Sequence, residues 1–255
     1  MRCKIILLLL AGLTVLGSFV SAEEKITEAD IKRLIHDIDT LYRSEASYAE
    51  LEMEIVTPHW QRTLSMDSWS EGMDKTFIRI KSPLKEKGVA TLRIDNEMWN
   101  FLPKTNKVMK VPPSMMMSSW MGSDFTNDDL VKEFSLFEDY TYKLTTVEDA
   151  ADSLIYIDCI PNEDLPIVWG NIVIAVSRNS RLPVWQRYFD EKGKLMRVMT
   201  YSDVREFGGR TIPAVMAIVP QNKEGHRTEV RYTRIDFNIK VGEDIFSLRN
   251  LRSLK

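Results

Sequence analysis

The sequence predicts a mainly β protein of the α+β class, in which an antiparallel sheet carries one amphipathic helix. Three observations support this. Runs of alternating apolar and polar residues recur through most of the 255 residues, the helical period is confined to one stretch near the start, and the later runs are joined by turns rich in Gly, Asn and Asp. Strands linked by such short turns run antiparallel, whereas a parallel sheet needs a long crossover between each pair.

The elements follow in order. Arg2 and Lys4 precede an uncharged run from Ile5 to Val20, which is followed by Ser21, Ala22 and Glu23. This is the pattern of a secretory signal peptide, with Val20 and Ala22 at the small-residue positions of the cleavage site. Residues 1–22 are therefore expected to be a cleaved leader and residues 23–255 one domain in the periplasm. An uncleaved anchor fits less well, because the run is short for a bilayer span and acidic residues follow it at once. No cysteine sits at the cleavage point, so the chain is not expected to be a lipoprotein itself. Of 34 basic residues, loss of Arg2 and Lys4 leaves 32 against 37 acidic ones, a mature charge of −5 that argues against a nucleic-acid partner. Cys3 leaves with the leader and Cys159 stays alone, so the core must be held by packing without an internal disulfide.

From Thr27 to Ser44 the apolar residues Ile31, Leu34, Ile35, Ile38, Leu41 and Tyr42 fall on one helical face, and Thr27 with Asp30 forms a capping pair. Such a stripe must rest on the sheet or plug its concavity. The period then changes to two, with Ala49, Leu51, Met53 and Ile55 alternating with Glu50, Glu52 and Glu54. Further strands are expected at Thr63–Trp69, Lys75–Lys81, Gly88–Ile94 and Glu97–Leu102, and after the middle of the chain at Tyr140–Val147, Ser153–Ile160, Asn171–Ser177, Pro183–Phe189, Leu195–Val204, Ile212–Pro220 and Arg227–Ile235. Turns are expected at Glu71-Gly72, Ser82-Pro83, Asp95-Asn96, 190–193, 207–209 and 222–225.

Between the two sets of strands lies a different segment. Pro112 and Pro113 end the preceding strand, and Met115, Met116, Met117, Trp120, Met121 and Phe125 then crowd a stretch where a loop should be polar. Thr126 with Asp129 resembles a second capping box that starts a short helix from Asp128 to Glu133. Unbranched thioethers can fit a guest of varying shape, and they can equally fold over an ordinary core.

Little here points to catalysis. His36, His59 and His226 fall in a helix, a turn and a hairpin with no metal-ligand spacing. Asp124, Asp128 and Asp129 lack the pattern of a calcium loop and read better as helix caps. Cys159 lies in an apolar strand beside Ile157 and Ile160, the setting of a buried structural thiol. Neither a nucleophile elbow nor a phosphate-cradling or dinucleotide-binding glycine loop is present. The chain is therefore expected to be no enzyme and to need no cofactor or metal.

The segment Trp120-Met121-Gly122-Ser123-Asp124-Phe125-Thr126-Asn127-Asp128-Asp129-Leu130, preceded by Trp99-Asn100-Phe101-Leu102-Pro103-Lys104-Thr105-Asn106-Lys107-Val108, resembles the LolA-like family of outer-membrane lipoprotein-sorting proteins. The resemblance extends over most of the mature chain, to Asp244-Ile245-Phe246-Ser247-Leu248. It implies a strongly curved antiparallel sheet forming an unclosed half-barrel, with helices as a lid over a hydrophobic cavity. It also implies a periplasmic carrier of lipid or lipoprotein acyl chains, an outer-membrane acceptor, and a membrane transporter of the resistance-nodulation-division or ATP-binding-cassette type as partner.

A carrier of that kind has a clear physical task. Exposing a sixteen-carbon chain to water costs about 13 kcal/mol at about 0.8 kcal/mol per methylene, so the chain must travel covered. The expected cavity lining is Leu51, Met53, Ile55, Leu64, Met66, Ile78, Ile80, Leu92, Ile94, Trp99 and Phe101, with the lid formed by Met115, Met116, Met117, Trp120, Met121 and Phe125. A slip of one residue in register would turn any of the strand residues outward. The alternative is a lipid-sensing regulatory module that binds the same guest and reports to a membrane protein or transporter. A hydrolase of envelope lipids comes last.

Overall fold

A computed structural model describes residues 26–131, 135–165, 167–242 and 244–253; the expected leader and Glu133 lie outside them. The first element is helix α1 (Glu28–Asp39). Thr27 caps it in a full capping box with Asp30, and its buried stripe is Ile31, Leu34, Ile35 and Ile38. Strands β1 (Ala46–Val56), β2 (Gln61–Glu71), β3 (Lys75–Ser82), β4 (Ala90–Ile94), β5 (Glu97–Leu102) and β6 (Lys107–Lys110) follow as a meander. After helix α2 (Asn127–Val131) come β7 (Tyr140–Leu144), β8 (Leu154–Pro161), β9 (Asn171–Ser177), β10 (Pro183–Phe189), β11 (Leu195–Phe207), β12 (Arg210–Pro220) and β13 (Arg227–Phe237), and then helix α3 (Leu248–Leu251).

These strands form one antiparallel sheet in the order β6-β5-β4-β3-β2-β1-β13-β12-β11-β10-β9-β8-β7, open at both ends. Two meanders therefore meet at the β1–β13 pair, where Ala49 lies opposite Ile235 and Met53 opposite Val230. The sheet curves into a half-barrel around a single apolar cluster that takes residues from α1 and from strands of both meanders. Turn chemistry fixes the hairpins. Between β11 and β12 only Gly208 and Gly209 intervene, both at positive φ (53° and 81°), the conformation that a two-residue turn matching the strand twist demands.

Among the described residues, β6 is the one strand that the sequence pattern did not reveal. It is a four-residue edge strand with lysines at both ends, set up by Asn106 in the left-handed region, and charge on so short an edge discourages pairing with other chains. Most of the remaining strands run a residue or more beyond their expected ends, because pairing with a long neighbour extends a strand past its apolar alternation.

The topology has a geometric consequence. Since β6 and β7 lie at opposite edges of the sheet, the segment 111–139 must cross from one edge to the other. Its residues 111–130 lie over the concave face. Trp120 Nε1 donates to Thr91 Oγ1 on β4 (3.1 Å), Arg62 on β2 donates to the Met121 carbonyl, Thr228 on β13 donates to Asp124 (2.9 Å), and Arg197 on β11 grips Asp129. The crossing segment is a strap, tied down at four strands.

Candidate functional site

Beneath the strap lies a cavity of about 590 Å³, enclosed by the concave face, the end of α1, residues 113–130 of the strap and residues 167–169. Its size falls within the range of small-molecule pockets. Much of the wall is apolar. Leu41 and Ile38 come from α1 or just after it, Met116, Phe125 and Leu130 from the strap, and Ile172, Met199, Met216, Val230 and Ile235 from the second meander. The alternation of β-structure explains the strand residues: Met199 and Tyr201 share one phase of β11 and point inward.

Polar groups on this wall are largely paired. Arg197 and Asp129 form a bidentate ion pair (2.7 and 2.8 Å), with side chains only 7% and 14% exposed. Asp129 is at the same time the capping residue of α2, accepting from the Thr126 amide at 2.7 Å and its hydroxyl at 2.9 Å. Burial alone would raise the Asp129 carboxyl, but the Arg197 charge and these hydrogen bonds prevail and hold it below the ordinary carboxylate value. Arg197 lies against the rings of Tyr188 (4.2 Å) and Trp169 (4.6 Å), which themselves meet edge-on at 5.1 Å and shield the pair from water. Burial also pushes the Tyr188 phenol up to about 12, so it stays neutral. Tyr42 and Tyr232 stack at 5.1 Å with an interplanar angle of 11°, and the Tyr42 hydroxyl donates to the Pro213 carbonyl (2.9 Å). Among the described residues no group of three or more His, Cys, Asp and Glu could hold a metal ion.

The residues expected from the sequence to line the cavity are distributed unevenly. Of the eleven strand positions, Ile78 lies on the cavity wall. Leu51, Met53, Ile55, Leu64, Met66 and Ile80 face the same interior but are packed within its core. Leu92, Ile94, Trp99 and Phe101 are on the other face of the sheet, where Leu92 and Phe101 join Phe77 in a second cluster covered by Ile245, Phe246 and Leu251 of the C-terminal segment. That cover is the physical reason: with both faces of β3–β5 buried, β3 and β5 carry apolar residues in both phases and the apolar phase of β4 is the outer one, so alternation cannot say which face is the inner one.

Of the expected lid, Met116, Met117 and Phe125 line the cavity. Trp120, 3% exposed, is a plug that fills the interior over β4. Met121 packs against the core with its backbone at φ 52°, a turn position, while Met115 (51% exposed) is on the outer surface and Met117 is also half exposed (44%). Asp124 caps no helix; it bonds Thr228 and lies 3.6 Å from His226. Cys159 is buried, and burial pushes its thiol up to about 12.

Sequence reasoning missed Arg43, Arg197, Tyr188 and Tyr232. For Arg197 a signal existed. It shares the inward phase of β11 with Met199 and Tyr201, and a charged residue in an apolar phase marks either a buried pair or a ligand contact.

A family model described as "Uncharacterized protein" matches residues 72–253, most of the chain. No curated protein matches the sequence significantly. Among solved structures, the chain is similar to a DUF1329 family protein from Desulfovibrio piger, with a TM-score of 0.76 and 21% identity over 86% of this chain and 97% of that one. It is also similar to a domain from Vibrio parahaemolyticus named for outer-membrane lipoprotein sorting, with a TM-score of 0.73 and 20% identity over 88% and 97% of the two chains. A LolA superfamily protein from Nitrosomonas europaea follows, with a TM-score of 0.71 and 16% identity over 86% and 98%. At these identities the structures speak for the half-barrel fold. The chain therefore belongs to the family of that model, and it shares the half-barrel fold of these solved structures.

Proposed function

We propose that this protein is a periplasmic carrier that takes an acyl chain of a lipid or lipoprotein into the cavity beneath the strap and moves it between membranes. The observation that carries the reading is the cavity itself: about 590 Å³ not filled by side chains beside a buried apolar core, with methionines and aromatic rings on its wall. An unoccupied apolar cavity lowers stability in proportion to its volume, so a fold that keeps one without using it forgoes easily gained packing. The relatives named for lipoprotein sorting or as LolA superfamily members support the same reading. The leader read from residues 1–22 would deliver the chain to the compartment in which such a carrier works.

Loading and unloading follow from differential affinity. Inside the cavity a chain escapes the cost of about 0.8 kcal/mol per methylene that water imposes, and it leaves when an acceptor offers a better-matched surface. The strap is the natural gate, because among the described residues a few anchors hold it over the sheet: Trp120, Phe125, the Asp124–Thr228 contact, Arg62 on the Met121 carbonyl and the Arg197–Asp129 pair. No step needs a bond to break. The test is transfer of a fluorescent sixteen-carbon amphiphile between two vesicle populations: a carrier accelerates exchange in proportion to its concentration, whereas binding without acceleration would favour a sensory module and refute the carrier.

A further inference from the structure

The cavity is not apolar all round. In the register of the first meander, Ser47 lies opposite Ser70, Ser70 opposite Thr76 and Thr76 opposite Arg93, so four adjacent strands place a polar row across one end of the concave face. The Ser47 and Ser70 hydroxyls bond each other at 2.6 Å, and Arg43, which follows α1, reaches into this row to donate from Nη1 to Thr76 Oγ1 at 3.1 Å. Arg43, Ser47, Ser70 and Thr76 all stand on the cavity wall.

Two guanidinium groups meet here without a carboxylate at ion-pair distance among the described residues. Arg43 has Thr76 as its side-chain partner, and Asp39 and Asp74 are felt only through space. Asp39 accepts instead from the Ser135 hydroxyl at 2.6 Å. Arg93, 4% exposed, directs its donors to the backbone carbonyls of Met73 and Asp95. Burial, and then the neighbouring Arg43 charge, bring Arg93 down to about 10. The Tyr232 ring stacks on Tyr42 beside Arg43, and its hydroxyl makes no hydrogen bond among the described residues. A guanidinium offers five donors in a fork that fits carboxylate and phosphate, and most of those of Arg43 are unused within the protein.

Resting on the carrier reading above, we propose that this row is a head-group site, and that the guest is a single-chain amphiphile with an anionic carboxylate or phosphate head, held by Arg43 with help from the Tyr232 hydroxyl. The cavity volume sets the chain number. With a methylene taking about the 30 Å³ of a liquid water molecule, a cavity of about 590 Å³ holds about twenty carbons, which is one chain rather than two or three.

The experiment measures binding of four sixteen-carbon probes to the whole mature chain by displacement of a fluorescent fatty acid: palmitate, palmitoyl lysophosphatidic acid, neutral monopalmitoylglycerol and hexadecyltrimethylammonium. The wild type should bind one or both anionic probes at least tenfold more tightly than the neutral one, and which of the two is preferred identifies the head. Arg43→Gln should weaken the anionic probes about ten- to a hundredfold, the loss of charge-assisted hydrogen bonds, and leave monopalmitoylglycerol unchanged. Arg43→Lys should restore part of the affinity. Equal wild-type affinity for charged and neutral heads, or an Arg43→Gln loss shared by the neutral probe, overturns the head-group site while leaving a cavity that binds chains. If no sixteen-carbon probe binds the wild type, the carrier reading falls with it. The wild-type comparison stands even if a variant does not fold.

Discussion

Breaking the Arg197–Asp129 pair tests how the strap is held. Arg197→Met removes a guanidinium that is 7% exposed and leaves the Asp129 carboxylate, 14% exposed, with only the Thr126 amide and hydroxyl as partners. The two hydrogen bonds lost are short, at 2.7 and 2.8 Å, and charge-assisted, each worth about 1.5–3 kcal/mol. Leaving one member of a buried pair uncompensated typically costs about 3–5 kcal/mol, and the two figures agree. Urea unfolding at pH 7 should show this as a lower midpoint, and hydrogen exchange should show the strap amides, such as that of Asp128 bonded to the Met116 carbonyl, opening before the sheet does. Asp129→Asn added to Arg197→Met should recover most of the loss, since the uncompensated charge is gone. Acidity provides an internal control. Because the folded Asp129 carboxyl lies below its ordinary 3.8, the contribution of the pair is complete above that value and is lost as the pH falls through the lower folded value. The gap between wild type and Arg197→Met should therefore be widest at neutral pH and shrink below about pH 4. A gap under about 1 kcal/mol at pH 7, the usual worth of an exposed pair, would refute the claim that this pair latches the strap.

Four other outcomes are expected. Ala49, buried on the cavity wall, tolerates a larger side chain only at the expense of the cavity, so Ala49→Phe should lower chain uptake at least tenfold while circular dichroism stays that of the wild type. Across a homologous series of ligands, affinity should rise by about 0.8 kcal/mol per methylene and level off near twenty carbons, and a rise that continued well past that length would mean that the cavity opens further. Trp120→Ala should cost about 3–5 kcal/mol in urea unfolding, because it empties the plug over β4 and leaves Thr91 without its donor. The Cys159 thiol, pushed up to about 12 by burial, should resist a thiol reagent at pH 8 in the native chain and react once urea is added.

Much of the architecture was legible because local and global signals agreed. The Thr27–Asp30 capping box, the apolar stripe of α1 and the Asp95-Asn96 turn each specify one local structure, and each is seen. The strap was visible as an oddity, a loop too rich in methionine and tryptophan, and the sheet order explains it: a chain crossing the concave face must bury what it passes over. The cavity wall was less legible. Leu92 and Phe101 read like inner-face residues, but the C-terminal segment hides the opposite face, and nothing in a two-residue period records a cover supplied from more than a hundred residues away. Nor does spacing reveal that Trp120 fills the interior over β4 while the open space is walled by residues of both meanders. Spacing assigned no role to Arg43. Only the cross-strand register, which puts Thr76 beside Ser70, shows what it faces.

Methionine methyl NMR shows directly whether the space beneath the strap receives one hydrocarbon chain. With every methionine methyl labelled, one equivalent of a sixteen-carbon amphiphile should shift Met116, Met117, Met199 and Met216, which line the cavity, at one-to-one stoichiometry. Met53, Met66 and Met98, packed in the core away from that wall, should move little, and the exposed Met109 should not respond. Shifts confined to the exposed methyls, or no saturable change at all, would contradict the account.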